Sequence, residues 1–313
     1  MITFDDIKVA AERIAPHIRR TPLMAATACN ENPTAAALWL KLECLQVTGS
    51  FKARGATNKL LATPAKELTG GIVTASGGNH GLAVARAARF AGIKATIFVP
   101  TTVSPDKVEK LRKYGATVEI IGSLWNETNL YALEFADRYQ AAYFHPFADP
   151  LVVAGQGTLA LELLEENPDL DTVLIAIGGG GLISGMSVAL KAIKPSIKII
   201  GIEPTGCPTF KASIAAGKVV RLDNVTSRVA TMACAETDPA VFELSRNAID
   251  DIVLVDDDEM LEAARWLWLE FGLAADLSGA AAMAALRTGK LQFKADQKVC
   301  ALVCGSGPEA LVG

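Results

Sequence analysis

The sequence has no surplus of positive charge: 30 Lys and Arg stand against 34 Asp and Glu, giving a formal net charge of -4 at pH 7 and an isoelectric point near 5.5. No Lys/Arg-rich run makes up the difference locally, so nucleic acid is not an expected partner. Long apolar runs are missing too, none reaching the roughly 18 uninterrupted residues that span a bilayer, and no membrane partner is expected. The first residues, MITFDDIKVAAERIAPHIRR, carry Asp5, Asp6 and Glu12 on an amphipathic helical pattern rather than a basic stretch followed by an apolar one. They do not read as a secretory leader, and a cytoplasmic location is the expectation. The cysteines at 29, 44, 207, 234, 300 and 304 have neither the paired spacing of a zinc site nor the density of a disulfide scaffold, so most read as small core residues in a reducing compartment. His17, His80 and His145 lie far apart without metal-ligand spacing, and a histidine-built metal centre is not expected. Repeats, low-complexity tracts and long linkers are also absent.

What the chain does have is apolar material, 50% of 313 residues, enough for a large core divided between two lobes. Short apolar runs alternate with helical patterns along its length. GIVTAS (71–76) precedes HGLAVARAARFAG, KATIFVP (94–100) precedes SPDKVEKLRKYG, and ATVEIIG (116–122) precedes WNETNLYALEFADRYQ. TVLIAI (172–177), KIIGIEP (198–204), DIVLVDD (251–257) and KVCALVC (298–304) repeat the theme. That alternation predicts the α/β class, with open parallel sheets covered by helices. A small domain is expected over 71–148 and a large one from 1–70 together with 149–313. Ligands of such sheets bind beyond the carboxyl ends of the strands.

Gly178, Gly179, Gly180 and Gly181 follow TVLIAI and lead into LISGMSVALKAIK. A strand that breaks on glycine and restarts as a helix presents unpaired N–H groups at a positive helix end, and only glycine lets phosphate oxygens come close to the backbone. The competing reading is a tight turn with no ligand. In TGSFKARG (48–55), after the strand-like WLKLE, Lys52 follows Phe51 at the mouth of a helix. An amine desolvated behind an aromatic ring is a competent nucleophile toward an aldehyde, whereas an ordinary helix-start lysine would be solvated. In ASGGNHG (75–81), Ser76, Gly77, Gly78 and Asn79 offer N–H groups and an amide at another helix N-terminus, a clamp for a carboxylate or a ring oxygen. His80 reads first as a packed residue rather than a base. VCGSG (303–307) puts Cys304 where the last strand emerges, placed to offer an S–H to a ring nitrogen, with Gly305 and Gly307 keeping the backbone near a ligand. Alone it would be a core cysteine before a turn.

TGSFKARG, ASGGNHG, IGGGGLISG and CGSG, with AGQGTLALELLEE (154–166) and GIEP (201–204), occur in the order and approximate spacing of one family. The chain resembles, over nearly its whole length, the fold-type II pyridoxal-phosphate enzymes, in the branch of the threonine and serine dehydratases and serine racemases. The resemblance implies a two-lobed fold like that of the tryptophan synthase β subunit, its large domain binding pyridoxal 5'-phosphate. By the same resemblance Lys52 is the catalytic residue that links the cofactor aldehyde, Phe51 and Asn79 contact the ring, Gly178 to Gly181 with Leu182 hold the phosphate, and Cys304 stands beside the pyridine nitrogen. Ser76, Gly77, Asn79 and His80 would clamp the substrate carboxylate. The activity implied is that of an ammonia-lyase removing the β-hydroxyl of L-threonine, L-serine or a related 3-hydroxy amino acid to leave a 2-keto acid and ammonia. A homodimer is the usual state in that family.

Four departures qualify this reading. Gly77 stands where the racemases carry a serine that can return a proton to the opposite face, so racemisation loses support, and a serine there is expected to restore some if the loop accepts it. Asp276 replaces a glutamate, and RVATM (228–232) replaces an alanine-aspartate-glycine stretch, both near the expected place of the β-substituent. The cation site of metal-dependent members is incomplete: Glu203 is present, but Cys207 and Thr209 follow where a carboxylate is expected, and no metal is assigned. A chain that stops just after CGSG is not expected to carry a C-terminal regulatory domain. The alternatives are an amino-acid racemase, a lyase for another β-substituted amino acid, and a cofactor- or ligand-binding sensor. A dinucleotide oxidoreductase would need G-x-G-x-x-G in its first strand unit, which is lacking.

Overall fold

Each of the seven apolar runs forms a strand, because each is rich in β-branched and small apolar residues and ends on a residue that breaks the ladder; most are buried on both faces, while the edge strand over 117–120 is largely exposed. The computed structural model describes residues 1–311. In chain order the strands are β1 (Leu23–Ala25), β2 (Ala37–Lys41), β3 (Ile72–Ala75), β4 (Ala95–Val99), β5 (Thr117–Ile120), β6 (Ala142–Tyr143), β7 (Thr172–Ala176), β8 (Lys198–Pro204), β9 (Asp251–Val255) and β10 (Lys298–Leu302). They make a six-stranded sheet, β1-β2-β10-β7-β8-β9, and a four-stranded sheet, β5-β4-β3-β6. Every pairing is parallel except β1 with β2. The expected α/β class with open parallel sheets is therefore what the chain adopts. Two short strands, β1 and β6, carry no pattern long enough to be read in advance.

The large sheet is enclosed by one apolar cluster running from Ile2 to Cys304, whereas the small sheet has two clusters of its own, centred on Ile72, Ile97 and Val99 and on Val73 and Phe98. The N-terminal helix Phe4–Ile14 starts at a capping box between Thr3 and Asp6 and buries Ile7, Ala10 and Ile14, the apolar stripe of its amphipathic pattern.

Topology gathers the motifs. β10, late in the chain, lies between β2 and β7, in register Ala301↔Leu40 and Ala301↔Leu174, so Cys304 and the glycine run leave neighbouring strand ends. β3 likewise ends at Ala75, directly before Ser76 and the helix Asn79–Ala91.

Candidate active site

The turn before Lys52 needs a backbone that few residues adopt. Thr48 and Gly49 both have positive φ, 64° and 81°, and a Cβ on Gly49 would lie 2.1 Å from Ser306 Oγ. That close approach joins TGSFK to CGSG: Ser50 bridges Gly305 in antiparallel fashion, Phe51 N–H donates to the Cys304 carbonyl at 3.2 Å, and Ser306 N–H donates to the Gly49 carbonyl at 2.8 Å. Lys52 then opens the helix Lys52–Ala62, with its Nζ 5.1 Å from the Phe51 ring centroid and donating to the Pro146 carbonyl at 2.7 Å. Burial, only weakly opposed by the nearby Cys304 and Cys234 thiols, pulls its amine down from the usual 10.5 to about 8.

The helix itself is pinned by charges that the sequence pattern does not announce. Arg54, fully buried, donates to both oxygens of buried Glu43 (2.8 and 2.7 Å) and both of Glu162 (2.7 and 2.9 Å). Buried Lys41 joins the group through Glu162 and Glu166, each at 3.2 Å. Removing one partner would leave an uncompensated buried charge, which is far more damaging than the net worth of the pair.

The glycine run forms the start of the helix Gly181–Ile193, with Gly180 in the left-handed region at φ 90°. Each of the four is crowded. A Cβ on Gly178 would lie 2.8 Å from the Thr231 carbonyl oxygen, on Gly179 2.2 Å from the Phe147 ring, on Gly180 2.3 Å from Phe210, and on Gly181 2.8 Å from the Phe147 carbonyl oxygen. Packing alone therefore accounts for glycine here. What points to a ligand is instead the set of N–H groups of residues 178–182, which find no acceptor among the described residues. An oriented set of free N–H groups at the start of a thirteen-residue helix suits an anion such as a phosphate.

Opposite it stands the loop after β3. Ser76 N–H is used by the Phe98 carbonyl and Gly78 N–H reaches Ser76 Oγ at 3.4 Å, while the N–H groups of Gly77, Asn79 and His80 find no acceptor among the described residues. Asn79 Nδ2 donates to Asp276 Oδ2 at 2.8 Å. The other Asp276 oxygen caps the helix Leu277–Arg287, accepting from Gly279 N–H at 2.6 Å and Ser278 Oγ at 2.7 Å. Asp276 thus has a local duty, and it also orients the amide of Asn79. Cys304 is buried with its Sγ 3.4 Å from the Ser278 carbonyl, and burial, then the Asp276 carboxylate, push its thiol upward so that it stays protonated. His80 is a packed residue: its Nε2 lies 3.0 Å from the Phe144 carbonyl, and burial, then Lys52, lower it to about 3, leaving a neutral ring. Its ring Nδ1 is buried without a hydrogen-bond partner, and its backbone N–H is free for a clamp.

A chain of short contacts links these pieces. Lys52 touches Pro146; the next residue, Phe147, covers Gly179; Thr231 covers Gly178 and lies 3.8 Å from where a Gly78 Cβ would be; and Asn79, Asp276 and Gly305 close the circuit to Cys304. Phe147, Thr231 and Thr237, whose hydroxyl donates to the Gly179 carbonyl at 3.0 Å, are lining residues that periodicity had no means of finding.

A family model described as pyridoxal-phosphate dependent enzyme matches residues 14–305. The chain belongs to that pyridoxal-phosphate dependent family. It is 38% identical over 305 residues to an L-threonine ammonia-lyase of Thermotoga maritima, covering 97% of this chain and 75% of that one. It is also 38% identical over 284 residues to a serine racemase of Oryza sativa subsp. indica, covering 89% and 82%. The structure of maize serine racemase superposes with a TM-score of 0.92 at 33% identity, covering 97% of this chain and 93% of that one. Free N–H groups, a desolvated amine, an amide and a neutral thiol in this pyridoxal-phosphate enzyme are of the chemical kinds that could meet a phosphate, an aldehyde and a pyridine ring.

The depressed Lys52 amine has a measurable consequence. In cofactor-free protein the neutral, nucleophilic fraction rises with pH and levels off above about 8, where an ordinary lysine would still be climbing toward 10.5. Brief exposure to pyridoxal phosphate, borohydride fixation and peptide mapping should therefore give a Lys52 labelling profile with its midpoint near 8. A midpoint near that of solvated lysine would contradict the burial argument.

Proposed function

We propose that this enzyme removes the β-hydroxyl of L-threonine, L-serine or a related 3-hydroxy amino acid, releasing a 2-keto acid and ammonia. The observation that carries the reading is the desolvated Lys52 amine, held in one chain of short contacts with Asn79, Cys304 and the free N–H groups of the glycine run. When bound, pyridoxal phosphate supplies the electron sink that makes the substrate Cα–H acidic.

The chain's own groups do the rest. N–H groups of residues 178–182 hold the phosphate, and those of Gly77, Asn79 and His80, with Ser76 alongside, hold the substrate carboxylate. Phe51 packs beside the ring, and Asn79, oriented by Asp276, serves its oxygen. Lys52, whose depressed amine is half neutral at about pH 8, takes the Cα proton. The Cys304 thiol stays protonated and offers the ring nitrogen a weak hydrogen bond rather than a full positive charge, which favours prompt loss of the β-substituent. Water then replaces nitrogen at Cα, and the balance of the reaction is one hydroxy amino acid to one keto acid and one ammonia.

Racemisation is the second reading, favoured by the names of the racemase relatives. Gly77 speaks against it, since no side chain stands there to return a proton from the other face. Incubation with L-serine or L-threonine should give keto acid with little D-isomer by chiral chromatography, and D-isomer forming as fast as keto acid would overturn the elimination reading. The sequence-based expectation for Gly77→Ser changes with the structure. A Cβ there lies 2.9 Å from Val103 Cγ2 and 3.5 Å from Val99 Cγ1, so the hydroxyl would be crowded against the small sheet. Gly77→Ser alone should therefore gain no racemisation, whereas with Val103→Ala the side chain has space.

Two domains, 71–148 and the remainder, are supported by the separate sheets and their separate apolar clusters. A cytoplasmic homodimer completes the proposal; among the described residues no helix is long and apolar enough to cross a membrane.

A further inference from the structure

β8 leads through a turn into the helix Thr209–Ala216. Glu203, on β8 and 1% exposed, has both carboxylate oxygens occupied by that helix: Oε1 accepts from Phe210 N–H at 2.7 Å and Oε2 from Lys211 N–H at 2.9 Å. Two side chains of the turn converge on a single carbonyl. Thr209 Oγ1 donates to the Cys234 carbonyl at 2.5 Å, and Cys207 Sγ lies 3.4 Å from the same oxygen. Cys207 and Thr209 are each 1% exposed, so these bonds are not shared with bulk solvent.

The Cys234 carbonyl belongs to the stretch 228–237 that covers the glycine run. Within it the Thr231 carbonyl and Met232 back onto Gly178, and Thr237 donates to the Gly179 carbonyl. Whatever holds Cys234 therefore also sets how that wall meets the phosphate cradle.

A divalent cation at this corner, as metal-dependent relatives would have it, needs six or more hard oxygen donors. Glu203 already accepts two N–H bonds, and the two following positions supply a thiol and a hydroxyl that point at a carbonyl. Among the described residues no group of three or more His, Cys, Asp or Glu could hold a metal ion. The residues present do not fit a cation.

We propose that Cys207 and Thr209 form a cation-free clasp on the Cys234 carbonyl, acting as positioning residues that hold the 228–237 wall against the phosphate-binding glycine run. The clasp rests on the proposed site only for its effect on cofactor binding. The experiment uses purified protein and pyridoxal phosphate, read by thermal unfolding and by the cofactor dissociation constant. EDTA, Mg²⁺ and Ca²⁺ should each leave both quantities unchanged. Thr209→Val should weaken cofactor binding about tenfold, the worth of one lost hydrogen bond, and Thr209→Ser should restore it. Should the valine variant not fold, Cys207→Ala removes the weaker donor and should weaken binding about threefold. A melting temperature lowered by EDTA and recovered with Mg²⁺ would overturn the proposal, as would parent-like cofactor affinity in the valine or alanine variant. If keto acid fails to form while these binding results hold, the proposed reaction falls and the clasp stands.

Discussion

Lys52→Ala is expected to abolish keto-acid formation and covalent cofactor attachment while leaving the fold in place. In the proposed mechanism one amine serves two purposes, linking the cofactor and taking the Cα proton, so its removal should cost several orders of magnitude in rate rather than the roughly tenfold of a single lost hydrogen bond. The fold should survive because the helix Lys52–Ala62 is held two residues later by Arg54 with Glu43 and Glu162, not by Lys52. Only the Pro146 carbonyl loses a partner. Keto-acid assay, the visible absorbance of the bound cofactor and circular dichroism together decide the matter. Near-normal turnover in the alanine variant would remove Lys52 from the mechanism.

The second large effect is expected at Gly179. An aspartate there sets a carboxylate against a bound phosphate at a few ångströms, and at an effective dielectric near 20 each like-charge pair costs about 3 kcal/mol at 5 Å. From sequence alone the loss would fall on cofactor binding far more than on stability. The structure adds a steric part, because a Cβ at Gly179 meets the Phe147 ring at 2.2 Å and the ring must move. Gly179→Ala therefore serves as the reference. Alanine should lower the melting temperature and weaken cofactor binding modestly; aspartate should weaken binding at least a further hundredfold with little further loss of stability. Equal affinity for the two variants would mean that the phosphate lies elsewhere.

The strands and the glycine turns were legible because each is a local signal. A run such as TVLIAI states its own burial, and glycine after a strand states that the backbone must come close to something. What that something is was less legible. At Gly179 the neighbour is the Phe147 ring, and at Gly178 the Thr231 carbonyl, contacts between segments far apart in the chain. Lys52 illustrates the same limit: its window alone favoured a solvated lysine over a buried one, and only the approach of Pro146 and Phe51 in three dimensions settles its environment. Lys41, Glu43, Arg54 and Glu162 look like surface charges in sequence, since buried charges are rare, yet the first three are fully buried and Glu162 is only partly exposed. Asp276, noticed as a departure near the site, proves to be both a helix cap and the partner of Asn79, a double duty that depends on the meeting of its helix with the small-sheet loop.

The order of the strands also governs how the enzyme comes into being on the ribosome. The small sheet draws only on residues 72–143 and can pair as soon as that stretch has emerged. The large sheet cannot, because the strand between β2 and β7 is β10, synthesised after all the others. Until it arrives, β2 and β7 face each other across a gap, Phe51 N–H lacks the Cys304 carbonyl, and Gly49 lacks the Ser306 N–H. The turn that aims Lys52 is thus completed only after β10 and the residues that follow it have emerged. A nascent chain carries Lys52 without a finished turn around it until β10 emerges, so the proposed capacity to capture an aldehyde and that to bind an amino acid arise together in one step.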